Sequence, residues 1–91
     1  MVRNEQDYNV AKLAEESGEL TQIVMKTLVY GIKSHNPETG ESNVDLLRKE
    51  MGDVIACIQL VAGQYGISID QLFIEERKQE MHKGFVLSQI R

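Results

Sequence analysis

Five carboxylates fall in two short clusters, Glu15, Glu16 and Glu19 early in the chain and Glu50 with Asp53 past its middle. Residues three apart are neighbours on a helix surface, so Glu16 with Glu19, and Glu50 with Asp53, would each form a like-charge pair that is unfavourable unless something neutralises it. On a helical wheel Glu16 falls inside an apolar arc of Val10, Leu13, Leu20, Ile23, Val24 and Leu28, with Glu19 at its border. Glu50 likewise falls inside an arc of Leu47, Met51, Val54, Cys57, Ile58, Val61 and Tyr65, with Asp53 at its border. A carboxylate in an apolar face costs several kcal/mol unless it is protonated, paired or bound to a metal. Two such pairs facing each other across a helical hairpin would bring four carboxylates to one point, a donor set that suits magnesium, manganese or calcium rather than zinc or copper. A lone E-x-x-E is ordinarily a solvated face, here with Lys12, Lys26 or Arg48 as partners. Two pairs that both intrude into apolar arcs favour the metal site. The histidines add nothing to it, because His35 stands in a loop segment and His82 follows Gln79, not a glutamate, at three-residue spacing.

Helices must position these groups. One proline in 91 residues and long stretches of 3.6-residue periodicity predict an all-α chain. The first helix is expected over about 4–30, with Asn4 as N-cap, Asp7 three residues on, and Gly31 just past its end. The segment 31–43, with its Asn36-Pro37 and Thr39-Gly40 pairs, is the one long loop. Ser42 with Asp45 opens a second helix to about Tyr65, and Ser68 with Gln71 opens a third that ends near Gly84. The tail 85–91 is expected as a short helix or an arm onto a partner. Fold class is therefore an antiparallel helical hairpin plus a shorter C-terminal helix, one domain over 1–91. A second stripe on each helix, Ala11, Ala14, Gly18, Met25 and Val29 on the first and Gly52, Ala56, Gln59 and Gly63 on the second, suggests burial on two sides and a close approach of another backbone or a ligand.

Composition sets the limits. A chain this short buries only about 60% of its unfolded surface, so oligomerisation into a helical-bundle dimer or tetramer is expected. Net charge of -4 and a pI near 5.1 argue against nucleic-acid binding, which needs a basic patch to displace counterions. No apolar run is long enough for a membrane span and no signal-peptide core is present, so a soluble, cytoplasmic protein is expected. The single Cys57, in an apolar run, excludes an internal disulfide and reads as a small buried hydrophobe.

Glu15-Glu16-Ser17-Gly18-Glu19 followed by Glu50-Met51-Gly52-Asp53 resembles the E-E-x-x-E and E-x-x-D motifs of the MazG-like, all-α nucleotide pyrophosphohydrolase superfamily. Lys26-Thr27-Leu28-Val29-Tyr30-Gly31 and Arg77-Lys78 are also similar to small members, so the likeness covers most of the chain. The 30 residues between Glu19 and Glu50 are long for that family. The resemblance implies hydrolysis of a ribo- or deoxyribonucleoside triphosphate to monophosphate and pyrophosphate. It further implies magnesium, with manganese as substitute, held by Glu16, Glu19, Glu50 and Asp53, and Glu15 or Glu19 as general base. For the substrate phosphates Lys78 ranks first, then Lys26 and Lys83, with Asn43 reaching in from the start of the second helix. Tyr8, Tyr30 and Phe85 are the aromatics most available to stack on a base. Two other readings stay open: a dUTP or phosphoribosyl-ATP pyrophosphatase on the same scaffold, and a non-catalytic helical dimerisation module.

Overall fold

Chain ends and capping residues decide where the helices begin. In the computed structural model, which describes residues 1–90 without the side chain of Gln71, α1 spans Glu5–Tyr30, α2 Asn43–Gln64 and α3 Ile74–Ser88. Asn4 Oδ1 accepts the Asp7 amide at 2.8 Å, and Gly31, at φ 94°, closes α1 with its N–H on Thr27 O at 2.9 Å. Ser42 Oγ caps α2 by accepting the Asp45 amide at 3.2 Å. These are the start and stop signals expected of an N-cap and a glycine just past a helix end, and they lie where the sequence puts them.

Antiparallel pairing of α1 and α2 follows from contacts at the two ends. Asn9 Nδ2 donates to Gln64 Oε1 at 3.0 Å, joining the beginning of α1 to the end of α2, while Asn43 Nδ2 donates to Gly31 O at 2.9 Å across the other end. Along α1 the more buried positions are Asn9, Leu13, Glu16, Leu20, Ile23 and Thr27, alternating steps of four and three as in a coiled-coil seam. α2 answers with Leu46, Glu50, Val54, Cys57, Val61 and Gln64. The seam is narrower than the sequence arcs, because a two-helix contact covers only a strip of each cylinder. Val10, Val24 and Leu28 of the first arc and Met51 and Tyr65 of the second stay exposed. Only Ile23, Cys57 and Ala62 form a buried apolar core among the described residues. Within the hairpin nothing lies against Gly18, Gly52 or Gly63, so the close approach expected at these glycines is not made by this chain to itself.

The third helix departs from expectation. Ser68 Oγ accepts the Asp70 amide at 3.2 Å, two residues on rather than three, and the chain winds into a 3-10 turn, Ile69–Leu72, instead of an α-helix. The proposed cap partner, the side chain of Gln71, lies outside the described residues. Phe73 then takes a left-handed conformation, φ 52° and ψ 45°, which breaks the chain direction before α3 begins at Ile74. α3 does not stop at Gly84. A glycine inside a helix costs about 1 kcal/mol relative to alanine, which Phe85 to Ser88 tolerate as they extend the helix through most of the expected tail. No residue of α3 is buried. The Cα radius of gyration, 16.3 Å, exceeds the roughly 12 Å of a compact domain of this length, as a helix standing off the hairpin requires.

Candidate metal centre

Glu16 and Glu50 occupy the middle of the α1–α2 seam, where the register of apolar residues turns them inward. The Glu16 side chain is only 12% exposed. One oxygen of each carboxylate, Glu16 Oε2 and Glu50 Oε2, is buried without any hydrogen-bond partner. Leaving a buried polar atom unsatisfied costs about 1 to 3 kcal/mol, more when it is charged, so two such atoms at one place call for a ligand. Around them the carboxylate oxygens of Glu16, Glu50 and Asp53 lie within 4.8 Å of one another, and so do those of Glu15, Glu16 and Glu19. Glu16 belongs to both sets.

The electrostatics agree with that crowding. The Glu16 carboxyl is pushed above the ordinary carboxylate range, first by burial, then by hydrogen bonding with Glu19 and by the negative charges of Glu19 and Asp53. Lys12 opposes the rise, with its Nζ 3.3 Å from Glu15 Oε2 and 3.7 Å from Glu16 Oε1. Its own ammonium is raised, chiefly by the hydrogen bond to Glu15 and then by that charge. One lysine against five carboxylates leaves a net negative pocket of oxygen donors alone, which fits a hard divalent cation and offers nothing to a soft one. In the sequence Lys12 had only the role of a surface partner; its spacing of three and four residues before Glu15 and Glu16 is the signal that places it at the centre.

The five acidic residues singled out in the sequence fall in these two triads, joined at Glu16, while the expected phosphate contacts divide. Lys26 lines an open cavity beside the centre together with Glu19, Gln22, Leu46 and Glu50. Lys78 and Lys83 lie on α3, paired to Glu75 at 3.0 Å and to Glu80 at 3.3 Å, and line neither this cavity nor the one beyond it. Asn43 is buried, with its amide Nδ2 on Gly31 O and its backbone N–H on Ser34 O at 2.8 Å, so it holds the connector between the helices. Arg48 is taken up by Asp45 at 2.9 Å.

Beyond Lys26 a second cavity of about 370 Å³ opens under the connector, walled by Tyr30, His35, Asn36, Asn43 and Leu46. Sequence spacing holds no sign of it, because the 31–43 segment is shaped by backbone hydrogen bonds rather than by a periodic pattern. Compared with known proteins, the chain matches the family model of the MazG nucleotide pyrophosphohydrolase domain over residues 4–83. No curated protein and no solved structure gave a match.

Proposed function

This chain belongs to the MazG nucleotide pyrophosphohydrolase domain family, and from that premise we propose that it hydrolyses a nucleoside triphosphate to the monophosphate and pyrophosphate in a magnesium-dependent reaction. The observation that carries this reading is the pair of buried, unpartnered oxygens of Glu16 and Glu50 inside a cluster of oxygen donors.

Glu16, Glu19, Glu50 and Asp53 would hold the cation. When bound, magnesium, or manganese in its place, supplies charge neutralisation at the phosphate oxygens and a lowered pKa for its water. The protein does the rest. Glu15, exposed at the edge of the cluster and fixed by Lys12, accepts the proton of the attacking water; Glu19 is the alternative base. The oxygen of that water bonds to the α-phosphorus, the α–β anhydride bond breaks, and its electron pair leaves with pyrophosphate. Lys26, at the cavity beside Glu19 and Glu50, offsets phosphate charge.

A homo-oligomer is part of the proposal. α3 buries nothing, and Leu28 and Met81 are each 74% exposed, more apolar surface than a short helical chain keeps in water. Lys78 and Lys83 line neither cavity of their own chain and would reach a site only if a neighbouring subunit brought them there. Among the described residues no helix is long and apolar enough to cross a membrane; a cytoplasmic setting would keep Cys57 as a thiol.

The test is a panel of ribo- and deoxyribonucleoside triphosphates incubated with magnesium or with chelator, with pyrophosphate and orthophosphate measured separately. Monophosphate and pyrophosphate are expected, lost in chelator. Glu50→Gln is expected to reduce the rate by more than the roughly 10 to 100-fold that accompanies loss of a residue merely supporting a metal ligand. Diphosphate plus orthophosphate would reject the α–β cleavage.

A further inference from the structure

We propose that the cavity beneath the 31–43 connector is the nucleobase site, reading the base with Tyr30, His35 and Asn36; this rests on the hydrolase reading above. The argument begins from continuity. The cavity at the carboxylates and the cavity under the connector share Lys26 and Leu46, so they form one groove running along the hairpin away from the metal centre. Leu46 is one helical turn before Glu50 and Asn43 nearly two, about 6 and 10 Å at the helical rise. In a nucleoside triphosphate the ribose separates the base from the α-phosphate, so a base site has to lie off the metal centre along such a groove.

Charge marks the order of the substrate's parts. Lys12, Lys78 and Lys83 are each engaged by a carboxylate. The Lys26 side chain, at the junction of the two cavities, has no hydrogen bond or ion pair among the described residues, and it is a free cation that phosphates leaving the carboxylates would meet. Beyond it the lining changes to what a base recognises: an aromatic ring in Tyr30, the apolar Leu46 and Pro37, and the polar edges of His35 and Asn36. Tyr30 is 71% exposed and serves no core, which leaves its ring face open for stacking.

The connector is ordered before any ligand arrives. His35 and Ser42 pair as an antiparallel bridge, Asn36 N–H donates to Glu41 O and Gly40 N–H to Asn36 O, both at 2.8 Å. Asn36 Oδ1 accepts the amides of Glu38 and Thr39 at 2.8 and 3.3 Å. With that oxygen committed, the Asn36 side chain has only its NH₂ to offer, a donor that suits a carbonyl oxygen or an unprotonated ring nitrogen on the base edge. A cavity of about 370 Å³ is at the small end of the ligand-site range, which suits a base better than a whole nucleotide.

The experiment tracks amide chemical shifts of the full-length chain with magnesium, adding non-hydrolysable α,β-methylene triphosphates of each base and, separately, inorganic tripolyphosphate. All probes are expected to shift Gln22 and Lys26. Only the nucleotides should shift Tyr30, His35 and Asn36. Tyr30→Ala and His35→Ala should each weaken nucleotide binding roughly tenfold without changing tripolyphosphate affinity. Base-dependent shifts lying elsewhere, no nucleotide binding, or identical shifts from tripolyphosphate would overturn the base site. Base-dependent shifts in a protein that releases no monophosphate from any triphosphate would support the base site and sink the hydrolase reading.

Discussion

The hairpin and the third helix solve the same problem in opposite ways. α1 and α2 bury a seam against each other, close both ends with side-chain hydrogen bonds, and place their charges where the seam needs a cation. α3 is less apolar than either, and its large apolar residues Ile74, Met81, Phe85 and Leu87 are all exposed while its lysines are paired within the helix. On the reading proposed above, the difference teaches a division of work: the hairpin would serve a ligand, and α3 a surface outside the chain.

The comparison breaks most easily at α3. Met81→Glu is expected to convert the proposed oligomer to monomer, read by sedimentation velocity, because it sets a charge in the most exposed part of that apolar face. A wild-type chain that stays monomeric at high concentration would remove the reason for the division. Substrate handling sharpens it next. Lys26→Ala should lower kcat/KM by roughly 10 to 100-fold, the worth of a hydrogen bond to a charged group. Lys78→Ala, which breaks only an exposed ion pair worth about 0 to 1 kcal/mol, should change it little. The reverse ranking would mean that a neighbour's α3 completes the site.

A smaller effect separates the two regions by pH. The Glu16 carboxyl is raised in the folded chain, so its contribution to stability is fully present below the unfolded-state value and is lost as pH rises through the folded one. Without metal, Glu16→Gln should therefore melt above wild type at neutral pH and lose that advantage in acid. Added magnesium should reverse the neutral-pH order, because only wild type keeps the ligand. Thermal melts between about pH 4 and pH 8, with chelator and with magnesium, would show it.

Much of the hairpin was legible in the sequence because its signals are local. Asn4, Gly31 and Ser42 act within three or four residues of themselves, and Glu16 and Glu50 betray themselves as charges at apolar positions. Val24 and Leu28 misled because a helical wheel shows every apolar side but not which one a single partner covers. The start of α3 was missed for a conformational reason, the left-handed turn at Phe73, which an aromatic residue does not advertise. The groove at Lys26 was hidden too, since which lysine shares a cavity with Glu50 depends on how the helices pack and not on spacing along the chain.

Phe73 carries a consequence for the path of the chain. Residues on either side of it are helical, so the angle between the 3-10 turn and α3 is set by the two backbone angles of a single residue. A left-handed conformation costs a residue with a side chain roughly 1 to 2 kcal/mol, and glycine would adopt it freely. With phenylalanine there, the chain trades a little stability for a sparse choice of headings, and the step from the 3-10 turn into α3 is written at one position.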